Sequence, residues 1–298
     1  MDKRKLYSKL LGELSSDLHL LDDKPDETPA STLGAMWLTA AGHPSSAREV
    51  RPDDLPNLPP IEQDKLLSYI ERRVAGEPLA HITGRQLFLD IEFITGAGAL
   101  IPRKETELLA KAAVDEIKRI SNVNHTPLII DACTGMANVA ISMAKRFTQI
   151  TVVAGDLSLD AVELARKNVL FHNLEDRVEI FQGDLLTPFN NERFYKKVDL
   201  ITCNPPYISS AKVENMDSEI SLFEPKLAFD GGPFGIKILQ RLLKEAPDYL
   251  SDHGCLIFEV GQGQGEALVR LLSKMKKYKN VTPVYDKNRQ IRAISATI

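Results

Sequence analysis

The sequence of 298 residues is poor in the side chains that build covalent or metal scaffolds. It has three cysteines, Cys133, Cys203 and Cys255, too few and too scattered for a disulfide framework or a zinc site. Each lies in or beside an apolar run, where a thiol serves as a small buried hydrophobe. The six histidines show no HxxxH or HExxH spacing, so no metal ligand is expected. No apolar stretch approaches the roughly 20 residues that cross a bilayer, so no membrane partner is expected. The opening run "MDKRKLYSKLLGELSSDLHLL" carries charge but no apolar core followed by small residues. It reads as an amphipathic helix instead of a signal peptide, and a cytoplasmic location is expected. A basic surplus is also missing. The net charge is −4, which disfavours a protein whose affinity comes from wrapping nucleic-acid phosphates.

What is present is ordinary for a soluble fold, with 43% hydrophobic and 26% charged residues. The length suits two domains of unequal size. Residues 1–82 carry helical spacing in "LYSKLLGELSSDLHLL", "TPASTLGAMWLTAAG" and "PPIEQDKLLSYIERRVAG", with proline starts and glycine stops. In "PLAHITGRQLFLDIEFITGAGALIPR" apolar residues alternate at Leu87, Leu89 and Ile91, then Phe93 on a shifted face. Residues 83–104 are therefore expected to form a β-hairpin linker. From 105 to 298 strand and helix alternate, which predicts a doubly wound, mostly parallel α/β sheet of the Rossmann-like kind. Strands are predicted at 127–131, 149–156, 177–184, 197–204 and 254–260, with Ser158 capping a helix. "NVTPVYD" and "QIRAISATI" close the chain with only a short turn between them. A parallel crossover needs more chain, so one of the two is expected to run antiparallel at the sheet edge.

Ligands in such sheets bind at the carboxyl ends of the strands. Four predicted strands end in polar residues: Asp131, Asp156, Asp184 and Asn204. Asp131 and Asp156 stand close to the ~20 residues that separate a glycine turn from a ribose-binding carboxylate. Asp156 either accepts ribose hydroxyls or caps the following helix. Asp184 either accepts from an adenine amino group or closes a turn. The sharpest motif is "NPPY", Asn204–Pro205–Pro206–Tyr207. Two prolines offer no N–H to a ladder and fix a rigid exit from the strand. The Asn204 amide oxygen and the Pro205 carbonyl can then accept both hydrogens of one –NH₂ group, beside the aromatic wall of Tyr207. The alternative is a plain strand-end turn.

At "NPPY" the sequence resembles class I methyltransferases acting on exocyclic or amide nitrogens. It is most similar to the protein-(glutamine-N5) methyltransferases that modify peptide-chain release factors. "RRVAGEPLAHITG", "LIPRKETELL", "GDLLTPF", "NPPYI", "EPKLAFDGG" and "LIFEVGQGQG" follow that family's order, with Lys104 where the family signature has proline. The resemblance implies a helical substrate-recognition domain, a hairpin linker and a seven-stranded domain that binds S-adenosyl-L-methionine and releases S-adenosyl-L-homocysteine. It implies a release factor as the protein substrate and Asn204, Pro205, Pro206 and Tyr207 as catalytic residues. Cofactor binding is implied for Asp131, Cys133, Thr134, Gly135, Met136, Ala137, Asp156, Leu157, Asp184, Leu185 and Asn204. Arg103, Thr106 and Glu107 are implied at the cofactor or substrate mouth, or else form an ordinary helix start.

The departure lies in "DACTGMANVAI". The family reads D-x-G-x-G-x-G there, whereas this sequence keeps only Gly135 and has Cys133 and Ala137 in place of the outer glycines. The long side chain of Met136 would either fill or reshape the amino-acid end of the cofactor site. With Asp156, Asp184 and "NPPY" intact, the cofactor is still expected to bind. A small-molecule amine or amide substrate, another use of the cofactor, and a non-catalytic cofactor-binding homologue are the alternatives. A nucleic-acid base methyltransferase fits "NPPY" alone but neither the charge nor the helical N-terminal region.

Overall fold

The computed structural model describes residues 2–21, 24–121, 126–216 and 218–298. Met1 of the expected amphipathic helix lies outside them. The chain divides into two compact units. The first runs to Ala97 and also takes in Ile101–Arg103 and the segment ending at Glu224. Its helices are α1 (Lys3–Asp17), α2 (Pro29–Ala40), α3 (Pro60–Val74) and the short α4 (Leu79–Thr83). Helix α2 starts where the sequence says it should. Thr28 Oγ1 accepts from the Ser31 N–H at 3.1 Å, Ser31 Oγ accepts from the Thr28 N–H at 2.8 Å, and Pro29 needs no partner. Leu10, Leu14, Leu33, Met36, Trp37 and Leu66 make the core of this unit.

The stretch expected to be hairpin or linker opens instead with α4, because "LAHIT" buries Leu79, Ala80 and Ile82 before Gly84 ends the turn at φ 69°. The hairpin itself is β1 (Arg85–Phe88) paired antiparallel with β2 (Ile91–Ile94). Its buried face differs from the expected one. Phe88 and Phe93 are buried, Leu87 is exposed, and Leu89 sits in the turn at φ 50°. The two-residue turn shifts the alternation, so the Leu87–Leu89–Ile91 pattern crosses a bend instead of following one face.

The second unit starts with α5 (Thr106–Ile120) and continues through β3 (Leu128–Ala132), α6 (Asn138–Arg146), β4 (Thr151–Asp156), α7 (Leu159–Phe171), β5 (Val178–Gln182) and β6 (Val198–Cys203). Ser158 caps α7 by accepting from the Ala161 N–H at 3.3 Å. After β6 come α8 (Ser210–Val213) and α9 (Ser218–Phe223), the latter belonging to the first unit. There Glu219 is buried with Lys24, Glu27 and Arg73, and accepts from Arg73 Nη1 at 3.0 Å. The second unit closes with α10 (Lys237–Tyr249), β7 (Leu250–Glu259), α11 (Gly265–Lys274), β8 (Lys279–Tyr285) and β9 (Ile291–Thr297).

The seven-stranded sheet has the order β5-β4-β3-β6-β7-β9-β8. Strands β5, β4, β3, β6 and β7 are mutually parallel, and β9 is antiparallel to both neighbours. The antiparallel strand therefore lies one place inside the edge, not at it, and β8 is the edge. Burial accounts for the order: β9 buries Ala293, Ile294 and Ala296, while β8 has no buried residue. The reversal of order at β3/β6 opens a crevice at the carboxyl ends, where Ala132 and Cys203 are register partners. No described helix is long and apolar enough to cross a membrane.

Candidate active site

The turn after β3 takes its shape from hydrogen bonds made by Asp131. Its carboxylate is buried and accepts from Thr134 Oγ1 and Thr202 Oγ1, each at 2.6 Å. Burial pushes its pKa up to about 6, against the lowering effect of those hydroxyls and the Ala140 N–H. Thr134 is buried too, and its N–H donates to the Gly155 carbonyl at 3.0 Å. Residues 133, 135 and 137 then adopt φ of 55°, 57° and 68°. All three are left-handed, so the backbone keeps the shape of a three-glycine loop although Cys133 and Ala137 carry a Cβ. Ala137 and Met136 are fully buried. The Met136 side chain is thus packed inside the protein, and its carbonyl accepts from Asn168 Nδ2 at 3.2 Å.

The next strand end is tied to this loop. Asp156 Oδ2 accepts from the Gly135 N–H at 2.9 Å, and Oδ1 from the Ser158 N–H at 3.0 Å. Burial raises the Asp156 pKa against these backbone donors. The cap of α7 is Ser158 and not Asp156, and each Asp156 carboxylate oxygen keeps a further lone pair, so a ligand role is compatible with these two hydrogen bonds. Leu157 beside it is exposed, a large apolar side chain at the rim. Asp184, after β5, is half-exposed and accepts from Arg241 Nη1 at 2.8 Å, while its carbonyl closes a turn with Thr187. Leu185 is buried with φ 55°.

The "NPPY" loop leaves β6 under restraint from three sides. Asn204 Nδ2 donates to Thr106 Oγ1 at 3.2 Å, at the start of α5. Tyr207 Oη donates to Glu259 Oε1 at 2.8 Å, at the end of β7. Gln264 Nε2 donates to the Tyr207 carbonyl at 3.0 Å, while Gln264 Oε1 accepts from the Gly261 N–H at 2.9 Å. Ile208 and Gly231 bridge the loop to the "FDGG" run through two backbone hydrogen bonds. Gly235 is obligatory there, because it has φ 67° and a Cβ would meet the Tyr207 carbonyl at 2.2 Å. Among the described residues nothing donates to Asn204 Oδ1 or to the Pro205 carbonyl. Two acceptors thus stand unengaged on adjacent residues.

The three expected mouth residues have different hydrogen-bond partners. Thr106 joins Asn204. Glu107 accepts from Lys104 and Lys111, each at 3.1 Å; burial raises its pKa, but these ammonium groups outweigh it and the net shift is downward. Lys104, which replaces the family proline, thereby has an ion-pair role. Arg103 belongs to the first unit, where it pairs with the buried Glu224. Glu259, Gln264, Thr202 and Arg241 were not anticipated. For Glu259 a signal existed: it is a fifth polar residue ending an apolar strand, "GCLIFE". Among the described residues no His/Cys/Asp/Glu group could hold a metal.

Two family descriptions match this chain, PrmC N-terminal domain over residues 33–84 and Methyltransferase small domain over 106–223. The release factor glutamine methyltransferase of Thermodesulfovibrio yellowstonii is 33% identical over 213 residues, 72% of this chain and 74% of that protein. That of Bacillus subtilis is 30% identical over 277 residues, 89% of this chain and 95% of that protein. Among solved structures, the hMettl16 catalytic domain in complex with MAT2A 3'UTR hairpin 1 aligns with a TM-score of 0.53 at 13% identity, covering 94% of this chain and 95% of that one. The human methyltransferase 10 domain containing protein aligns at 0.50 and 16%, covering 70% and 88%. At such identities these two structures speak to the fold alone.

Proposed function

The chain belongs to the release factor glutamine methyltransferase family and is a methyltransferase; from that premise we propose that it methylates the side-chain amide nitrogen of a glutamine in a peptide-chain release factor, with S-adenosyl-L-methionine as donor. Residues 1–82 would recognise the protein substrate, 83–104 link, and 105–298 carry the chemistry. The observation that carries this reading is the pair of unengaged acceptors, Asn204 Oδ1 and the Pro205 carbonyl.

The residues present fit the donor. Gly135 has no Cβ in the first loop, and nothing lies within 4 Å of where one would stand. The left-handed backbone on both sides of it keeps the loop open despite Cys133 and Ala137. Asp156 retains lone pairs for ribose hydroxyls and Asp184 an oxygen for the adenine amino group. Exposed Leu157 offers an apolar face. When bound, S-adenosyl-L-methionine supplies an electrophilic sulfonium methyl.

The difficulty is the nucleophile, since an amide lone pair is delocalised. Asn204 Oδ1 and the Pro205 carbonyl accept the two amide hydrogens, so the nitrogen faces one direction only. As the nitrogen becomes electron-poor, both hydrogen bonds strengthen, and they favour the proton's late departure. Orientation is worth up to ~7–11 kcal/mol of barrier, and acceptors aimed at developing charge add a few more. No general base need act first. Tyr207 walls the site and Pro206 keeps the exit rigid.

The test is to incubate the purified chain with S-adenosyl-L-methionine and an unmodified release factor, then map the product by peptide mass spectrometry. The expected result is a gain of one CH₂ on a glutamine side chain. An unmodified release factor, or methylation of Lys or Arg instead, would refute the substrate assignment.

A further inference from the structure

The run "FDGGPFG", Phe229–Gly235, lies along the backbone that continues the "NPPY" loop. The Ile208 N–H donates to the Phe229 carbonyl at 2.9 Å, and the Gly231 N–H donates back to the Ile208 carbonyl at 2.8 Å. The Ser210 N–H donates to the Gly232 carbonyl at 3.1 Å. Asp230 Oδ1 accepts from Ser210 Oγ at 2.7 Å and from the Gly232 N–H at 2.9 Å. Gln264 Nε2 donates to the carbonyls of both Tyr207 and Gly235, at 3.0 and 3.3 Å. The approach is so close that a Cβ on Gly231 would meet the Pro206 carbonyl at 2.6 Å.

Residues 232–235 close this run with a turn, the Gly235 N–H donating to the Gly232 carbonyl at 3.0 Å. Pro233 and Phe234 take its two central places, and proline presets the backbone at the first of them. Phe234 is 81% exposed. A ring left in water contributes almost nothing to folding. Single exposed apolar side chains are ordinary on protein surfaces. Phe234 differs in its support, a turn whose backbone is fastened to the "NPPY" loop through Ile208, Ser210 and Gln264.

We propose that Phe234 is a specificity-determining contact for the substrate polypeptide: it takes the residues that flank the acceptor glutamine. The proposal rests on the reading of a release factor as the substrate. Asn204 Oδ1 and the Pro205 carbonyl read only an –NH₂ group, which a free amide carries as well. Discrimination in favour of a glutamine within a protein has to come from outside that pair. Gly235 stands against Tyr207, two residues along the loop from Pro205. An extended chain rises about 3.3 Å per residue, so a polypeptide held at the clamp reaches the turn within a few residues. It presents apolar side chains and peptide planes there, which an aromatic ring can cover. The turn is already ordered and only two side-chain torsions of Phe234 need fixing, so the contact costs little entropy.

The test is steady-state methylation of an unmodified release factor by full-length variants at saturating S-adenosyl-L-methionine. Phe234→Ala removes the ring and none of the hydrogen bonds above, so its melting temperature should match the parent's. KM for the release factor should rise about tenfold or more, the scale of one aromatic ring no longer buried on binding. The turnover number kcat and the cofactor Kd should change less than about twofold, as for a contact made equally in the ground and transition states. Phe234→Leu keeps an apolar side chain and should restore most of the KM. Leu170→Ala controls for surface apolarity in general. Leu170 is 63% exposed, in the last turn of α7, whereas the α7 start lies beside Asp156. All three quantities should stay at the parent's values in that variant.

An unchanged KM in Phe234→Ala overturns the contact. So does a cofactor Kd that rises with KM, which would put the ring at the cofactor, and so does an equal rise in Leu170→Ala. A lowered melting temperature overturns it too, because the ring would then belong to the fold. In each of these cases the parent still methylates the release factor and the proposed function stands. A parent that leaves the release factor unmodified overturns the proposed function, and this contact falls with it.

Discussion

The backbone N–H of Gly135 donates to the Asp156 carboxylate at 2.9 Å, so the turn after β3 and the end of β4 are one hydrogen-bonded unit. The only glycine kept in the first loop is thus the residue whose amide reaches the second strand. Asp156 also accepts from the Ser158 N–H and so holds the loop and the start of α7 together.

Asp156→Ala should therefore affect binding and folding together. Each hydrogen bond to a charged acceptor is worth about 1.5–3 kcal/mol. If Asp156 accepts the ribose hydroxyls, losing these acceptors and the loop anchor should weaken S-adenosyl-L-methionine binding by about tenfold or more by calorimetry, and should lower the denaturant midpoint. A variant that binds as tightly as the parent would remove Asp156 from the cofactor site.

The left-handed run at 133, 135 and 137 makes opposite predictions at neighbouring positions. Gly135→Ala meets no atom within 4 Å, so its cost is conformational, about 1 kcal/mol or somewhat more. Ala137→Gly relieves a similar strain but loses a buried methyl, worth roughly 0.8 kcal/mol. It should be neutral to slightly stabilising. Urea midpoints check both; an Ala137→Gly variant destabilised by more than about 1 kcal/mol would mean that the strain argument is wrong.

The strand ends were legible in the sequence because strand and helix periods differ and because polar residues close apolar runs. Asp156 ends its strand, Asp184 and Asn204 follow theirs, and Asp131 lies one residue before the end of β3. Three features escaped. Helix α4 is too short for a periodicity to register. The order β7-β9-β8 depends on which strand buries more surface, a tertiary comparison that local pattern does not contain. Glu259 closes an apolar strand as the other four polar residues do, and its burial against Tyr207 is a tertiary feature that the strand pattern does not contain. The position of Met136 belongs to the same class. Its size is visible in the sequence, whereas its inward direction follows from the left-handed residues on either side.

Arg241 and Asp184 form an ion pair that is partly exposed on both sides. Such pairs contribute about 0–1 kcal/mol, so Arg241→Ala should leave the melting temperature nearly unchanged. If Asp184 receives an adenine amino group, Asp184→Ala should weaken cofactor binding by about tenfold, the worth of one hydrogen bond to a charged group. Arg241→Ala should not weaken it, because the freed carboxylate remains. Equal losses in the two variants, measured by titration calorimetry, would show that the ion pair itself shapes the site.

Asp131 makes a pH-dependent contribution whose sign is opposite to that of a salt-bridged acid. Its folded pKa of about 6 lies above the ordinary 3.8, because burial penalises the charge more than three hydrogen bonds favour it. The folded state therefore holds the proton more tightly than the unfolded chain. The stability this confers is complete below the unfolded value and is lost as pH rises through the folded one. Asp131→Asn removes the titration with little change of shape. Its NH₂ can face Thr202, whose hydroxyl can turn to the Ile130 carbonyl at 3.4 Å. Comparing parent and variant by urea unfolding cancels carboxylates that do not act on Asp131, such as Glu259; Asp156 does act on it and adds to the raised value. The parent should lose stability relative to Asp131→Asn between about pH 4 and 6, by on the order of 3 kcal/mol in all, and the difference should be flat above that. A difference independent of pH would mean that Asp131 keeps an ordinary pKa in the fold. A difference that grows in the parent's favour as pH rises would mean that the hydroxyls of Thr134 and Thr202 outweigh burial.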